Sequence, residues 1–242
     1  MKSTGHPLVL IPWHIGNLRD ISINAAGAAR DIRVFLAEEP DVTKRAFASD
    51  LGLDCRQKEF LLIPAKEDKA FLRNVCVKLE AGPVGLICSS GIPCFVDPGS
   101  WLVKRLRALG RPITAYAGAS VLTTMLSLSG TDWAGDETLC CGTFIIYTED
   151  SPTFRKAIRR KDEPVFVFLA TSKVRECLAL MEPIVGERPV SAFFDLTKVP
   201  KSKFPYADRV LTMNCGEWRK EAESLPWELI SDVALMVLPL GR

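Results

Sequence analysis

The sequence predicts an α/β protein of two domains, with a mostly parallel sheet in the N-terminal half and a mixed sheet in the C-terminal half. Up to about residue 130, apolar runs of four to eight residues alternate with longer stretches of helical period, the rhythm of a parallel sheet covered on both faces. After Gly130 strands become more frequent and helices fewer, as in a mixed sheet. The strand-to-helix junctions of the first half are rich in Gly and Pro, which is where open α/β sheets place small-molecule sites.

Taken in order, Leu8 to Pro12 reads as a strand, Ile21 to Arg30 as a helix, Ile32 to Glu38 as a strand and Thr43 to Leu51 as a helix. Phe60 to Pro64 and Val84 to Cys88 are further strands around a helix at Lys69 to Leu79. Helices at Leu102 to Leu109 and Ser120 to Ser129 flank a strand at Pro112 to Tyr116. In the second half, residues 131–150 read as a crossing and a strand, 154–161 as a basic helix, 165–171 as a buried strand and 174–185 as a helix. Strands at 190–198, 207–214 and 232–240 surround a short helix near Trp218. The boundary falls near Tyr116 to Ser120, which divides the chain into domains 1–117 and 118–242.

A chain of 242 residues with 48% hydrophobic and 25% charged residues buries a large core and is not disordered. The net charge of +2 argues against a general nucleic-acid coat protein but leaves room for a local phosphate-binding patch. Eight cysteines without a CxxC pair, several inside apolar runs, read as buried free thiols of a reducing cytoplasm. Vicinal Cys140 and Cys141 read as packing residues on opposite faces of a strand. With only two histidines, His6 and His14, and no ligand spacing, no metal site is expected. Pro7 and Pro12 interrupt the first apolar stretch, so it is too short for a signal peptide. No window is long enough to span a bilayer, and the chain reads as soluble and cytoplasmic.

Four junctions hold the candidate chemistry. In the first, Pro12 to Ser22, Gly16 lets a ligand approach the backbone, Asp20 reads as the N-cap of the next helix, and His14 as a loop residue able to act as a base. In the second, consecutive Glu38 and Glu39 at a strand end cannot both face a cleft. Whichever is desolvated there would have a raised pKa and could take a proton from a hydroxyl. The third, Ser89-Ser90-Gly91-Ile92-Pro93-Cys94-Phe95-Val96-Asp97-Pro98-Gly99, follows a buried strand and precedes a helix that Asp97 is expected to cap. In the fourth, Gly118, Ala119 and Ser120 leave room for a flat ring or a ribose, and Ser120 can cap the helix behind it. Backbone N–H groups at Gly91 and Gly118 could cradle an anionic or adenosine-bearing ligand. Neither loop has the GxGxxG or GxxxxGK[ST] spacing, so NAD and ATP are poor candidates. In the second half, Arg155, Lys156, Arg159, Arg160 and Lys161 could form a phosphate-reading strip, although a solvated helix face is the commoner cause of such a run. Asp195 and Lys198 end a strand.

The order and spacing of IGNLRDI, AEEPDVTKR, SGIPCFVDPG, AGASVLTTMLSLSG and FFDLTK resemble the tetrapyrrole methylase superfamily, within it the small-subunit ribosomal RNA ribose-2′-O-methyltransferase I branch. The resemblance implies two α/β domains, a homodimer, and S-adenosylmethionine held in a cleft between the domains. Carried over by position, Ser90, Gly91, Ile92 and Phe95 would form the cofactor loop facing Ile15. Gly118, Ser120 and Val121 would contact the cofactor from the fourth junction, and Leu169 and Leu196 would close over its adenosine. Charged positions of the branch are missing: Ser89 stands for an Asp, Pro40-Asp41 follow the acidic pair where Thr-Arg is expected, and Ala170-Thr171-Ser172-Lys173-Val174 replaces Glu-Ser-Pro-His-Arg. The glycines survive where the charges do not, so cofactor binding is better supported than a ribosomal substrate. A ribose hydroxyl needs a nearby base, for which Glu39 is the first candidate and Asp195 the second. The readings left open are transfer to the ribose of ribosomal RNA in the small subunit, transfer to a tetrapyrrole or other small molecule, and a divergent paralogue that binds cofactor or RNA without catalysis.

Overall fold

A computed structural model describes residues 5–131, 142–198, 202–207 and 209–240. Cys140 and Cys141, expected to pack on a strand, lie outside the described residues. The chain divides into two compact units, Met1–Val121 and Leu122–Arg242.

The first unit alternates strand and helix without exception: β1 (Leu8–Ile11), α1 (Ile23–Asp31), β2 (Val34–Ala37), α2 (Pro40–Leu51), β3 (Glu59–Leu62), α3 (Lys69–Ala81), β4 (Val84–Ile87), α4 (Ser100–Ala108) and β5 (Ile113–Ala115). The five strands form one sheet in the order β3-β2-β4-β1-β5, and every neighbouring pair is parallel. Alternation along the strands assigns the two faces. Val9, Ile11, Phe35, Ala37 and Ile87 point to one core with Ala25, Ala28, Ala29 and Phe47 of α1 and α2. Leu8, Leu36, Val84 and Leu86 point to the other, with Val75, Leu79, Leu102 and Leu106 of α3 and α4. All four residues of β4 are buried, as expected of a central strand covered on both sides.

Local signals set the helix ends. Ser22 caps α1 by accepting from the Ala25 N–H, Asp68 caps α3 through the Ala70 and Phe71 N–H groups, and Pro40 starts α2. The connection from β1 leads toward β2, and the connection from β4 leads past β1 to β5. β1 and β4 are adjacent, so their C-terminal ends form the topological switch point at which such sheets open a crevice.

The second unit contains α5 (Val121–Leu128), which begins at the unit boundary, then β6 (Thr143–Tyr147), α6 (Pro152–Ile158), β7 (Val165–Leu169), α7 (Val174–Val185), β8 (Val190–Phe194), β9 (Val210–Met213), α8 (Cys215–Ser224) and β10 (Val233–Val237). Its sheet runs β6-β7-β10-β8-β9, with β6 and β7 parallel and the remaining pairs antiparallel. Trp218 of α8 is buried in its core and donates its indole N–H to the Val190 carbonyl at 2.6 Å. The mixed sheet is the one expected from the sequence.

Three elements differ from expectation. The basic helix ends at Ile158, which leaves Arg159, Arg160 and Lys161 beyond its last turn. β8 stops at Phe194, because Asp195 and Thr197 take positive φ values of 45° and 61° that no extended strand can hold. The short helix near Trp218 is ten residues long, started by a capping box between Asn214 and Glu217.

Candidate functional site

The C-terminal edge of the parallel sheet carries all four junctions, and three of them meet at one point. The Trp13 N–H donates to the Gly91 carbonyl at 2.8 Å, forming an isolated antiparallel bridge that holds the loop after β4 against the loop after β1. Gly91 has φ +71°, and a Cβ built there would meet only Ile15 Cγ2 at 3.6 Å and the Ala119 carbonyl at 3.9 Å. Ile15, Gly91 and Ala119, from three different junctions, therefore surround one point. Gly118 lies so close to Pro12 that a Cβ would stand 2.4 Å from the proline ring. Two glycines thus let three loops meet backbone to backbone, one through a left-handed conformation and one through close approach. Ser89, Ser90, Ile92, Phe95 and Val96 are exposed at the same edge, while Ser120 and Val121 follow Ala119 into α5.

The remaining first-junction residues are structural. Gly16 N–H donates to His14 Nδ1 at 3.1 Å, which makes Nδ1 the acceptor and leaves Nε2–H to face Asp50 Oδ2 at 3.3 Å. His14 is therefore a loop anchor and not a free base. Asp20 does not cap α1, a role taken by Ser22, and sits in a 3-10 turn at Leu18–Asp20. Its Oδ2 and the Trp13 Nε1 are buried without a hydrogen-bond partner.

The acidic groups sort themselves by environment. Glu38 and Glu39 are both exposed, and Glu39 is the N-cap residue of α2 with no side-chain cap bond. Glu38 is the carboxyl held above its ordinary range, by partial desolvation first and then by the negative charges of Asp97 and Glu39. Asp97 does not cap α4, because Gly99 occupies the N-cap position with no side-chain bond. Instead its half-buried carboxyl lies beside the Cys88 thiol, and desolvation raises its pKa. Burial likewise raises the Cys88 thiol and pushes Cys94 up to about 11, so neither is a ready thiolate. Choosing between Glu38 and Glu39 requires the strand end that aims them, which residue order does not reveal; the role of Asp97 was masked by its position just before a helix.

In the second unit Asp195 is fully buried. Its Oδ1 accepts from the Ser231 and Asp232 N–H groups at 2.9 and 2.8 Å, and its Oδ2 from the Ser202 hydroxyl at 2.5 Å. A carboxylate engaged in this way is a lock between loops, and the base role expected for it is corrected. Lys198 pairs with Asp232. Leu196, between the two positive-φ residues, is 5% exposed. Leu169 lines a groove of about 420 Å³ at the C-terminal ends of β6 and β7, with Ile146, Phe168 and Lys173. The Tyr147 hydroxyl and Lys173 Nζ both donate to Glu176 at 2.7 Å beside it. Of the two readings of the basic run, the phosphate strip is broken: Arg155 pairs with Asp150 and Arg160 with Glu163, and the run leaves the helix after Ile158. Among the described residues no group of three or more His, Cys, Asp or Glu could hold a metal ion, and no helix is long and apolar enough to cross a membrane.

The first-unit edge suits a sulfonium-bearing nucleoside. It offers exposed apolar Ile92, Phe95 and Val96 for a flat base, main chain without side chains at Gly91 and Gly118, and the carboxyls of Glu38 and Asp97 for positive charge. The sequence profile of the tetrapyrrole (corrin/porphyrin) methylases matches residues 7–201. The chain is 25% identical over 198 residues to the ribosomal RNA small subunit methyltransferase I of Thermotoga maritima, covering 81% of this chain and 86% of that protein. It is 26% identical over 203 residues to the protein of the same name from Xylella fastidiosa, covering 81% and 71% respectively. Among solved structures, diphthine synthase superposes with a TM-score of 0.58 over 96% of this chain and 89% of its own, at 15% identity, a likeness of fold.

Proposed function

The chain belongs to the tetrapyrrole methylase family, and from that premise we propose that it is an S-adenosylmethionine-dependent methyltransferase acting on a ribose 2′-hydroxyl of small-subunit ribosomal RNA. The observation that carries the cofactor part is the meeting of Ile15, Gly91 and Ala119 at the switch point of the parallel sheet. The RNA part rests on the relatives' names, and pairing with a second copy on the sequence resemblance alone.

When bound, S-adenosylmethionine supplies a methyl carbon attached to a positively charged sulfur. Ser90, Gly91 and Ile92 would hold it through main-chain groups, with Ile15, Gly118, Ser120 and Val121 around them. Ile92 and Phe95, exposed at the edge, would pack against its flat base. Glu38 takes the role first read for Glu39. Its raised pKa makes its anion a stronger proton acceptor than a carboxylate of ordinary pKa, and it would receive the ribose hydroxyl proton on a carboxylate oxygen as the O–C bond forms, the methyl carbon's bond to sulfur breaks and neutral S-adenosylhomocysteine is left.

The test combines calorimetric titration with S-adenosylhomocysteine and transfer of a labelled methyl group to unmodified small ribosomal subunits. Wild type is expected to bind and to transfer. Glu38→Gln should bind normally and lose about 100-fold or more in kcat, the usual worth of a positioned base, whereas Glu39→Gln should retain most of its rate. Absence of S-adenosylhomocysteine binding would sink the methyltransferase reading; equal losses in the two variants would remove Glu38 from its role.

A further inference from the structure

Resting on the RNA reading above, we propose that the phosphate backbone of the RNA docks on the outer face of α3 and α4, along Lys66, Lys69, Arg73 and Lys104, and not on the basic run near α6. Two ion pairs lay these helices side by side in the same direction. Arg105 of α4 binds Glu67 just before α3 at 2.8 Å, and Arg111 just past α4 binds Glu80 near the end of α3 at 2.5 Å. At the same end the indole N–H of Trp101 donates to the Pro64 carbonyl at 2.8 Å, and the Trp101 ring meets Phe71 edge-on at 6.2 Å.

Lys66, Lys69, Arg73 and Lys104 are all exposed, and none is in an ion pair among the described residues. Lys69 and Arg73 are one turn apart on α3, and Lys104 adjoins the paired Arg105 on α4. The acidic residues of this face are already engaged. Glu67 is bound by Arg105, and Asp68 Oδ1 accepts from the Ala70 and Phe71 N–H groups at 2.7 and 2.9 Å to cap α3. The N-terminus of α3 is already occupied by the Asp68 carboxylate and that of α4 is buried at Gly99, so the positive charge of this face comes from the four side chains.

The location ties this face to the candidate site. α3 follows the C-terminal end of β3 and α4 that of β4, and in a parallel sheet all strand C-termini share one edge. A Cβ at Gly99 would touch Cys94, Leu86 and Ile63, so the head of α4 sits directly on the loop that contains Gly91 and Phe95. A strand of RNA lying across α3 and α4 would thus reach the methyl-transfer edge without leaving the first unit. An anionic membrane surface is the less fitting partner, because the aromatics of α3 and α4, Phe71 and Trp101, are partly buried and pack on each other.

The test is binding of a short single-stranded RNA to the full chain at several salt concentrations, for wild type, for Lys69→Gln/Arg73→Gln/Lys104→Gln, and for Lys156→Gln/Arg159→Gln/Lys161→Gln. The first triple variant should bind at least about tenfold more weakly, with the slope of log affinity against log salt shallower by about 2, the share of three phosphate contacts on a single strand. The second triple variant should match wild type. Thermal midpoint and S-adenosylhomocysteine binding should be unchanged in both, which excludes misfolding as the cause. Equal RNA binding by wild type and the first variant would overturn the proposal, as would wild-type binding to phosphatidylserine vesicles with none to RNA. Methyl transfer separates this from the function reading. Labelled RNA produced equally by wild type and the first variant would reject this surface and keep the enzyme, whereas RNA binding that depends on Lys69, Arg73 and Lys104 without any transfer to RNA would do the reverse.

Discussion

Replacing Gly118 by Ala tests whether the loops after β1 and β5 must touch for the site to exist. The added Cβ would stand 2.4 Å from both Cβ and Cγ of Pro12, where an ordinary contact needs 3.4 Å or more, so the two loops must separate by roughly 1 Å. The obstacle is a rigid, buried proline ring, which cannot swing aside as a flexible side chain would. Overpacking of this kind costs about 2 kcal/mol, which lowers the melting temperature of a unit of this size by about 6–10 °C. A displacement of about 1 Å at a positioned reaction centre also costs on the order of 100-fold in rate. The internal control is Gly27→Ala, which sits within α1 with nothing inside 4 Å of the new Cβ. It should raise stability by about 0.5–1 kcal/mol through helix propensity. Differential scanning calorimetry and methyl-transfer kinetics on both variants check this. If Gly118→Ala melts like wild type and transfers at the same rate, the close approach to Pro12 does not organise the site.

Two further outcomes follow from the carboxylates. Asp97→Asn removes a negative charge that disfavours ionisation of Glu38, so the Glu38 pKa should fall toward its ordinary value. The active anion would then persist to lower pH, and the acid limb of the kcat profile should move down; a limb that stays put or moves up would show that Glu38 is not the titrating group. Asp195→Ala removes the acceptor of three hydrogen bonds at a fully buried position. It should cost about 3 kcal/mol or more of second-unit stability by urea denaturation. Unchanged stability with abolished transfer would restore Asp195 as a base.

Much of the fold was legible because its signals are local. In the first half, strand length and apolar alternation agree with the elements that form, although α1 is capped by Ser22 and not by Asp20 as the residue order suggests. The exact span Val174–Val185 of α7 was read from its apolar period. Boundaries were missed where a tertiary interaction overrides the local pattern. FFDLTK looks like a continuing strand, yet the Asp195 hydrogen bonds to the 231–232 backbone turn the chain after Phe194. The basic run at 154–161 looks like one charged helix face, but Asp150 and Glu163 claim two of its arginines and the helix ends at Ile158.

Sequence by itself determined the α/β architecture, the two sheet types and the junctions where chemistry gathers, because hydrophobic period and glycine placement act over a few neighbouring residues. Only the tertiary structure decided which charges serve which purpose. It raised the pKa of Glu38, turned Asp97 away from helix capping toward a buried thiol, engaged both oxygens of Asp195, and left Lys66, Lys69, Arg73 and Lys104 without an ion pair among the described residues. The environment of a charge depends on burial and on partners brought from distant parts of the chain, and neither is encoded in the spacing of the residues that carry it.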